Sequence, residues 1–342
     1  MISQGSRNGN TSTPRDARAG TPAWAEGRNR LAVEIRVLFV SDQSLSDHQS
    51  QPAYSPLFLV LGAAIIWSTG GLFIKATTLS GPQISFGRSL LAVITVALLT
   101  RREGFGLNRY TAVASVLYAT LLVLFVLATK QTTAANAIFL QYTAPVYVLV
   151  LEPLFYKEKF RRRDLITVTI CVAGMSLFFV GKLRPQDVTG NLLALCSGLC
   201  FAFYFLLLRH SSARDVNRAS SVIYGNLLVV LVTAPAGVAA LEHLSMGDAA
   251  RVAYLGVVQI GFAYLLFTLA MARGVRSLDA GIIGYIEPVL NPVWVFLFIG
   301  ERPSGWAIVG GAIIIFAVVG HMLIDTKLKG QKDVGAQLLP HE

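Results

Sequence analysis

Long apolar stretches separated by short polar ones dominate the chain: ten of them, at roughly 57–74, 82–100, 110–129, 134–156, 164–181, 190–209, 219–241, 249–272, 279–299 and 305–324. Each is close to the ~20 residues that a helix rising 1.5 Å per residue needs to cross a bilayer. None shows the period-two alternation of an outer-membrane strand. The pattern therefore predicts an all-α integral membrane protein of ten transmembrane helices. Residues 1–56, rich in Ser, Thr, Asn, Gly and Arg, read as a disordered N-terminal tail. They lack the unbroken apolar core of a signal peptide, since Glu34 and Arg36 interrupt RLAVEIRVLFV. Their six arginines hint at an organellar address, which five acidic residues oppose. Residues 325–342 form a polar C-terminal tail.

Composition sharpens this reading. Of 342 residues, 54% are apolar and 14% charged, where soluble domains carry about 25% charged residues. The net charge of +10 would fit nucleic acid only if the basic residues formed a stripe, and they do not. With the N-terminus in the cytoplasm, 22 of the 29 Lys and Arg fall in cytoplasmic segments and six on the other side, with Arg88 inside a span. That asymmetry places both termini in the cytoplasm. Cys171, Cys196 and Cys200 all lie in apolar segments without His or carboxylate at ligand spacing. They read as small hydrophobes, neither bridged nor metal-bound.

An internal repeat organises the ten spans. Shifting the chain on itself by 143 residues lays 142–159 over 285–302 with seven identities in 18 positions, Tyr142, Pro145, Val146, Val150, Leu154, Phe155 and Glu158 each meeting its own kind. Shared apolar composition alone would give ~2. The fourth and ninth spans are thus copies, and each repeat holds five spans. An odd number of crossings forces the second copy to enter from the opposite face, so the repeats are inverted, 57–181 and 190–324. Such an architecture suits alternating access around one central site.

The segment AYLLFTLAMARGVRSLDAGIIGYIEPVLNPVWVFLFIGERPSGWAIVGGAIII and its weaker first copy resemble the drug/metabolite transporter superfamily, in particular EamA-type members. The likeness covers about 57–324, and the first copy departs from it at Tyr156–Lys157, where the glycine before the Glu is missing. The resemblance implies a secondary carrier, in many cases an exporter of amino acids and other small metabolites. It implies a multi-pass protein of a plasma membrane, the bacterial inner membrane, whose partners are lipid, a small solute, and protons or a counter-solute, as a monomer or homodimer.

Within this frame a few residues stand out. Glu287 lies about 3 Å from the midpoint of the ninth span, where a carboxylate costs on the order of 2.5–3.5 kcal/mol. With Gly281, Gly284, Asn291 and Trp294 it forms a stripe at helical spacing that should face a cavity. Pro145, Pro288 and Pro292 remove backbone hydrogen bonds and mark helix breaks. Glu287 is the candidate for proton coupling; a static hydrogen-bonded carboxyl is the alternative. On the fourth span the mirrored stripe is Gln141, Ala144, Val148 and Glu152, so the site is asymmetric. Glu152 reads first as a residue reaching the interface, with a gate residue as the alternative. Arg88 either attracts an anionic group or pairs with Glu287 or a helix C-terminus. Trp67, in the Trp67–Gly71 interruption of span one, and Tyr118, Tyr142, Tyr264 and Tyr285 are substrate contacts or packing residues.

Other classes lose ground. The chain contains no G-x₄-GK[ST] phosphate loop, no HExxH and no GxSxG elbow, and its five histidines fall in tails or near span ends. An enzyme reading therefore lacks a nucleophile or metal, and no cofactor is expected. A channel or membrane-embedded sensor is the remaining alternative, distinguished by kinetics, because a carrier saturates and shows counterflow.

Overall fold

The structure, a computed structural model, describes residues 56–132, 134–157, 161–180, 188–213, 215–300, 302 and 304–337. Residues 1–55 of the expected tail 1–56, the basic residues Lys182 and Arg184, and Glu158 and Glu301 of the paired copies lie outside the described residues.

Every regular element among the described residues is helical. In chain order they are α1 (Leu57–Trp67), α2 (Gly70–Ala76), α3 (Gly81–Thr100), α4 (Arg109–Gln131), α5 (Ala134–Gln141), α6 (Ala144–Tyr156), α7 (Arg162–Ser176) and α8 (Val188–Arg209). Then follow α9 (Ser220–Ala240), α10 (Met246–Tyr254), a π-helical segment (Leu255–Phe262), α11 (Ala263–Ala272), α12 (Ser277–Gly284), α13 (Ile286–Ile299) and α14 (Gly305–Gln337). Nine helical stretches among the described residues are long and apolar enough to cross a membrane. The expected fifth span is the shorter α7, continued by a 3-10 turn over Leu177–Phe179. Arg162, Arg163 and Asp164 in its first turn leave too few apolar residues to meet the same standard. The last helix also runs past the expected end at 324, through Gln337.

Among the described residues three spans are broken. α1 and α2 are separated at Ser68 and Thr69, whose hydroxyls donate back to the carbonyls of Ile65 (2.6 Å) and Ile66 (2.7 Å), competing with the helical ladder. α5 and α6 part at Tyr142–Thr143, and α12 and α13 at Tyr285. The last two breaks fall three residues before Pro145 and Pro288, within the turn each proline deprives of an N–H bond to residue i−4. Pro292, by contrast, sits inside α13 without ending it. Tyr142 and Tyr285 are 143 positions apart, so the break itself is repeated.

Helices from the two halves of the chain interleave. α4 packs along α8, α3 along α9, and α7 along α14. Small residues allow close approach: a Cβ on Gly198 would lie 2.6 Å from the Gln141 carbonyl oxygen, and one on Gly256 2.6 Å from the Arg88 carbonyl oxygen. The outer faces carry large apolar groups such as Leu98, Leu154, Val232, Phe298 and Phe316, as a lipid-facing surface requires.

Candidate functional site

At the centre of the bundle the broken spans surround a cavity of about 30 Å³, room for a water molecule and no larger solute. Trp67 lines it at the end of α1, Arg88 from α3, Leu121, Leu122 and Phe125 from α4, Gln141 from α5 and Phe201 from α8. Gln259 and Ile260 enter from the π-helical segment, Tyr264 from α11 and Glu287 from the first turn of α13. Of the residues selected from the sequence, Trp67, Arg88, Gln141, Tyr264 and Glu287 thus share one wall.

Glu287 is 6% exposed and accepts a hydrogen bond of 2.6 Å from the Tyr142 hydroxyl. The two repeated break residues meet here, Tyr142 and Tyr285 having ring centroids 5.8 Å apart. Gly284 makes room for Tyr142, since a Cβ there would lie 2.9 Å from the ring. Arg88, 1% exposed, donates from one terminal nitrogen to the Leu122 carbonyl at 3.1 Å, a carbonyl in mid-helix and not at a helix end. Among the described residues it forms no ion pair with Glu287 or any other carboxylate. Its Nε, the Trp67 Nε1 and the Gln259 Oε1 are buried with no partner among the described residues. Such groups cost about 1–3 kcal/mol each when left unpaired. Two buried donors and an acceptor without a partner among the described residues thus belong to residues of the same cavity wall.

The rest of the predicted stripe on the ninth span does something else. Asn291 donates to the Ser68 carbonyl at 3.2 Å and Trp294 to the Ser68 hydroxyl at 2.7 Å, while Gly281 abuts Pro145. Asn291 and Trp294 clamp the break in span one against α13, and none of the three is on the cavity wall. Asn291, Pro288 and Pro292 instead border a second, apolar crevice of about 20 Å³ with Ile138, Phe139, Met175 and Phe178. Tyr118 is fully buried, receives a bond from Asn226 at 3.2 Å and stacks edge-on against Tyr264 at 4.7 Å. It backs the wall rather than forming it.

Gln259 escapes a sequence reading, although a lone amide in the apolar stretch 249–272 is the signal that could find it. Its position depends on the π-helical turn, which rotates it inward, and on Gly70, where a Cβ would meet the Gln259 amide at 2.5 Å. Ser197, which accepts from Gln141 at 2.7 Å and donates to the Leu121 carbonyl at 3.0 Å, likewise carries no sequence signal.

A second polar cluster lies at the end of the bundle where α6 and α8 finish. Glu152 is paired with Arg209 at 2.8 Å and with Arg276 at 3.0 Å. Arg276 also reaches Asp164 at 3.1 Å and Asp279 at 3.5 Å, and His321 lies 3.0 Å from Asp279. Burial alone would lower the proton affinity of Arg276, but Asp279, Glu152 and Asp164 outweigh it and raise it above the ordinary arginine value. Asp164, Asp279 and His321 have metal-ligand chemistry at close spacing, yet Arg276 already supplies the positive charge that their two carboxylates face. His321 is buried, not at an exposed span end.

The profile of the EamA-like transporter family matches residues 55–180 and again 188–323. The chain belongs to the EamA-like transporter family. It is similar, at 24% identity over 86% of its length and 96% of the relative's, to an uncharacterized transporter, YxxF, of Bacillus subtilis. It is 26% identical to the pseudopaline exporter CntI of Pseudomonas aeruginosa over 78% of this chain and 95% of that one. The threonine/homoserine exporter RhtA of Salmonella typhimurium is 26% identical over 58% of this chain and 66% of its own. A solved crystal structure superposes with a TM-score of 0.63 over 79% of this chain and 97% of its own at 18% identity, which establishes a shared fold. The chain is a multi-pass membrane transporter, not an enzyme.

Proposed function

We propose that this family member is a secondary carrier that exports small amino-acid-like metabolites across the bacterial inner membrane by alternating access. In this reading ten helices form two inverted five-helix halves, 57–181 and 190–324, with both termini cytoplasmic. The two profile matches, the repeated break at Tyr142 and Tyr285, and the distribution of Lys and Arg support it.

The observation that carries the reading is the central cavity. Arg88 and Glu287, a cation and a carboxyl deep in the bundle, line it without pairing with each other. Intramembrane ionisable groups are costly and mark substrate or ion pathways. A solute bearing both a carboxylate and an ammonium group would pair with both, the carboxylate with Arg88 and Trp67 Nε1, the ammonium with Glu287 and Gln259 Oε1. Trp67, Phe201 and Tyr264 pack together beside it, Trp67 and Tyr264 with ring centroids 4.6 Å apart, and would cover an apolar side chain. At about 30 Å³ the cavity corresponds to a closed state that must expand on binding. Glu287 would load a proton on one side and release it on the other.

The test is growth protection. Cells expressing the chain are challenged with toxic amino-acid analogues and with toxic solutes of other classes, and intracellular levels are measured. Protection with depletion of amino-acid analogues is expected. Protection only against solutes lacking the paired charges would refute the assignment.

A further inference from the structure

Resting on the carrier reading above, we propose that Glu152, Asp164, Arg209 and Arg276 form the gate that closes one face of the transport pathway, the face carrying the loops after α6 and α8. The ion pairs Glu152–Arg209, Glu152–Arg276 and Asp164–Arg276 measure 2.8, 3.0 and 3.1 Å. Each joins a carboxylate of the first family-matched segment to an arginine of the second. Both carboxylates are 1% exposed, and the arginines 16% and 12%. Any motion that parts the two halves at this end must break all three.

The network is also connected to the central cavity. Phe201, Phe205 and Arg209 follow one another at four-residue spacing on α8, which sets Arg209 about 12 Å along the helix from the cavity wall. Phe205 fills the interval, packed on Phe201 at 4.3 Å and on Phe267 at 4.9 Å. Ser277, next to Arg276, donates to the Phe205 carbonyl at 3.1 Å. An aromatic plug thus sits under an ionic cap. At the opposite end Asp248 joins the halves by accepting from the Thr78 hydroxyl at 2.7 Å, and its counter-charge is Arg251 of its own half at 3.3 Å, so among the described residues this contact is not an ion pair between the halves. Arginine suits a gate of this kind: Arg276 uses its two terminal nitrogens on different carboxylates, a bridge that lysine's single ammonium cannot reproduce.

A static staple would use the same contacts, so the test must detect opening. In a background with Cys171, Cys196 and Cys200 replaced by Ala, a single reporter cysteine is placed at Leu122, on the cavity wall. An impermeant maleimide is then applied to vesicles of each orientation, and labelling rates are compared with and without Glu152→Gln or Arg209→Gln. Each substitution removes at least one buried ion pair that joins the two halves at this end, a loss large enough to raise labelling from the loop-bearing side by about tenfold or more. Labelling from the other side should fall, because the two faces open alternately. Equal rises on both sides would mean general loosening, and unchanged rates in folded protein would mean a staple; either overturns the gate. If Glu152→Gln and Arg209→Gln do not fold, Arg276→Lys, which keeps the charge and loses the fork, is read by the same two-sided comparison. Because labelling needs no solute, failure to find exported cargo would leave the gate result standing and fall on the carrier reading alone.

Discussion

Replacing Glu287 by Gln separates a structural carboxyl from a proton-coupling one. The amide keeps the size of the side chain and an oxygen that can still accept the 2.6 Å bond from Tyr142. A hydrogen bond to a charged group is worth about 1.5–3 kcal/mol and a neutral one about 0.5–1.5, so the exchange costs about 1 kcal/mol of stability at most modest rearrangement. For a chain of 342 residues that lowers the melting temperature by only about 1–2 °C, leaving the fold intact. The functional consequence is larger. One proton moved per solute is worth about 1.36 kcal/mol per pH unit, a tenfold concentration ratio, and an amide cannot carry it. The assay uses the purified protein in liposomes with the solute identified by the growth screen. Native protein should accumulate it about tenfold across one pH unit, whereas Glu287→Gln should equilibrate it without accumulation while still exchanging labelled for unlabelled solute. If the variant accumulates solute to the native ratio, Glu287 is a structural group and the coupling hypothesis is wrong.

Three further outcomes are expected. Arg88→Lys should retain folded protein, since a lysine can still reach the Leu122 carbonyl, but should lose transport about tenfold or more because the planar fork is gone; lowered thermal stability with normal transport per folded molecule would make Arg88 purely structural. Gly237→Ala should cost about 1–3 kcal/mol by overpacking, because its Cβ would lie 2.0 Å from the Phe86 ring, while Gly320→Ala, with nothing within 4 Å, should be neutral or stabilising; thermal unfolding of the purified variants decides. Reporter fusions after Arg163 and Arg276 should read inside and those after Arg184 and Arg302 outside, and a reversed signal at Arg163 would undo the inverted-repeat argument with it.

Much of this protein is legible in its sequence, because a bilayer imposes a long-range rule on local composition. A stretch of about 20 apolar residues must satisfy its backbone internally, so helix positions follow from hydropathy with little help from packing. The same holds for the repeat, where the Tyr-x-x-Pro pattern at 142–145 and 285–288 marks the two breaks through a local effect of proline on the preceding turn. Glu287 and Arg88 stand out for an energetic reason, charge in hydrocarbon, that needs no structure. What sequence could not supply is which faces meet. The stripe from Gly281 to Trp294 is continuous at helical spacing, yet of its residues Glu287 opens on the cavity while Asn291 and Trp294 are taken up by Ser68, in the break of span one more than 200 positions away. Gln259 turns inward through a π-helical register shift that hydropathy does not encode. Arg209 and Arg276 look like ordinary loop cations until the fold brings Glu152 and Asp164 within 2.8–3.1 Å of them. Local composition decides where a membrane chain is helical; the pairing of side chains across the two halves depends on how the helices rotate and pack, and that is a property of tertiary structure alone.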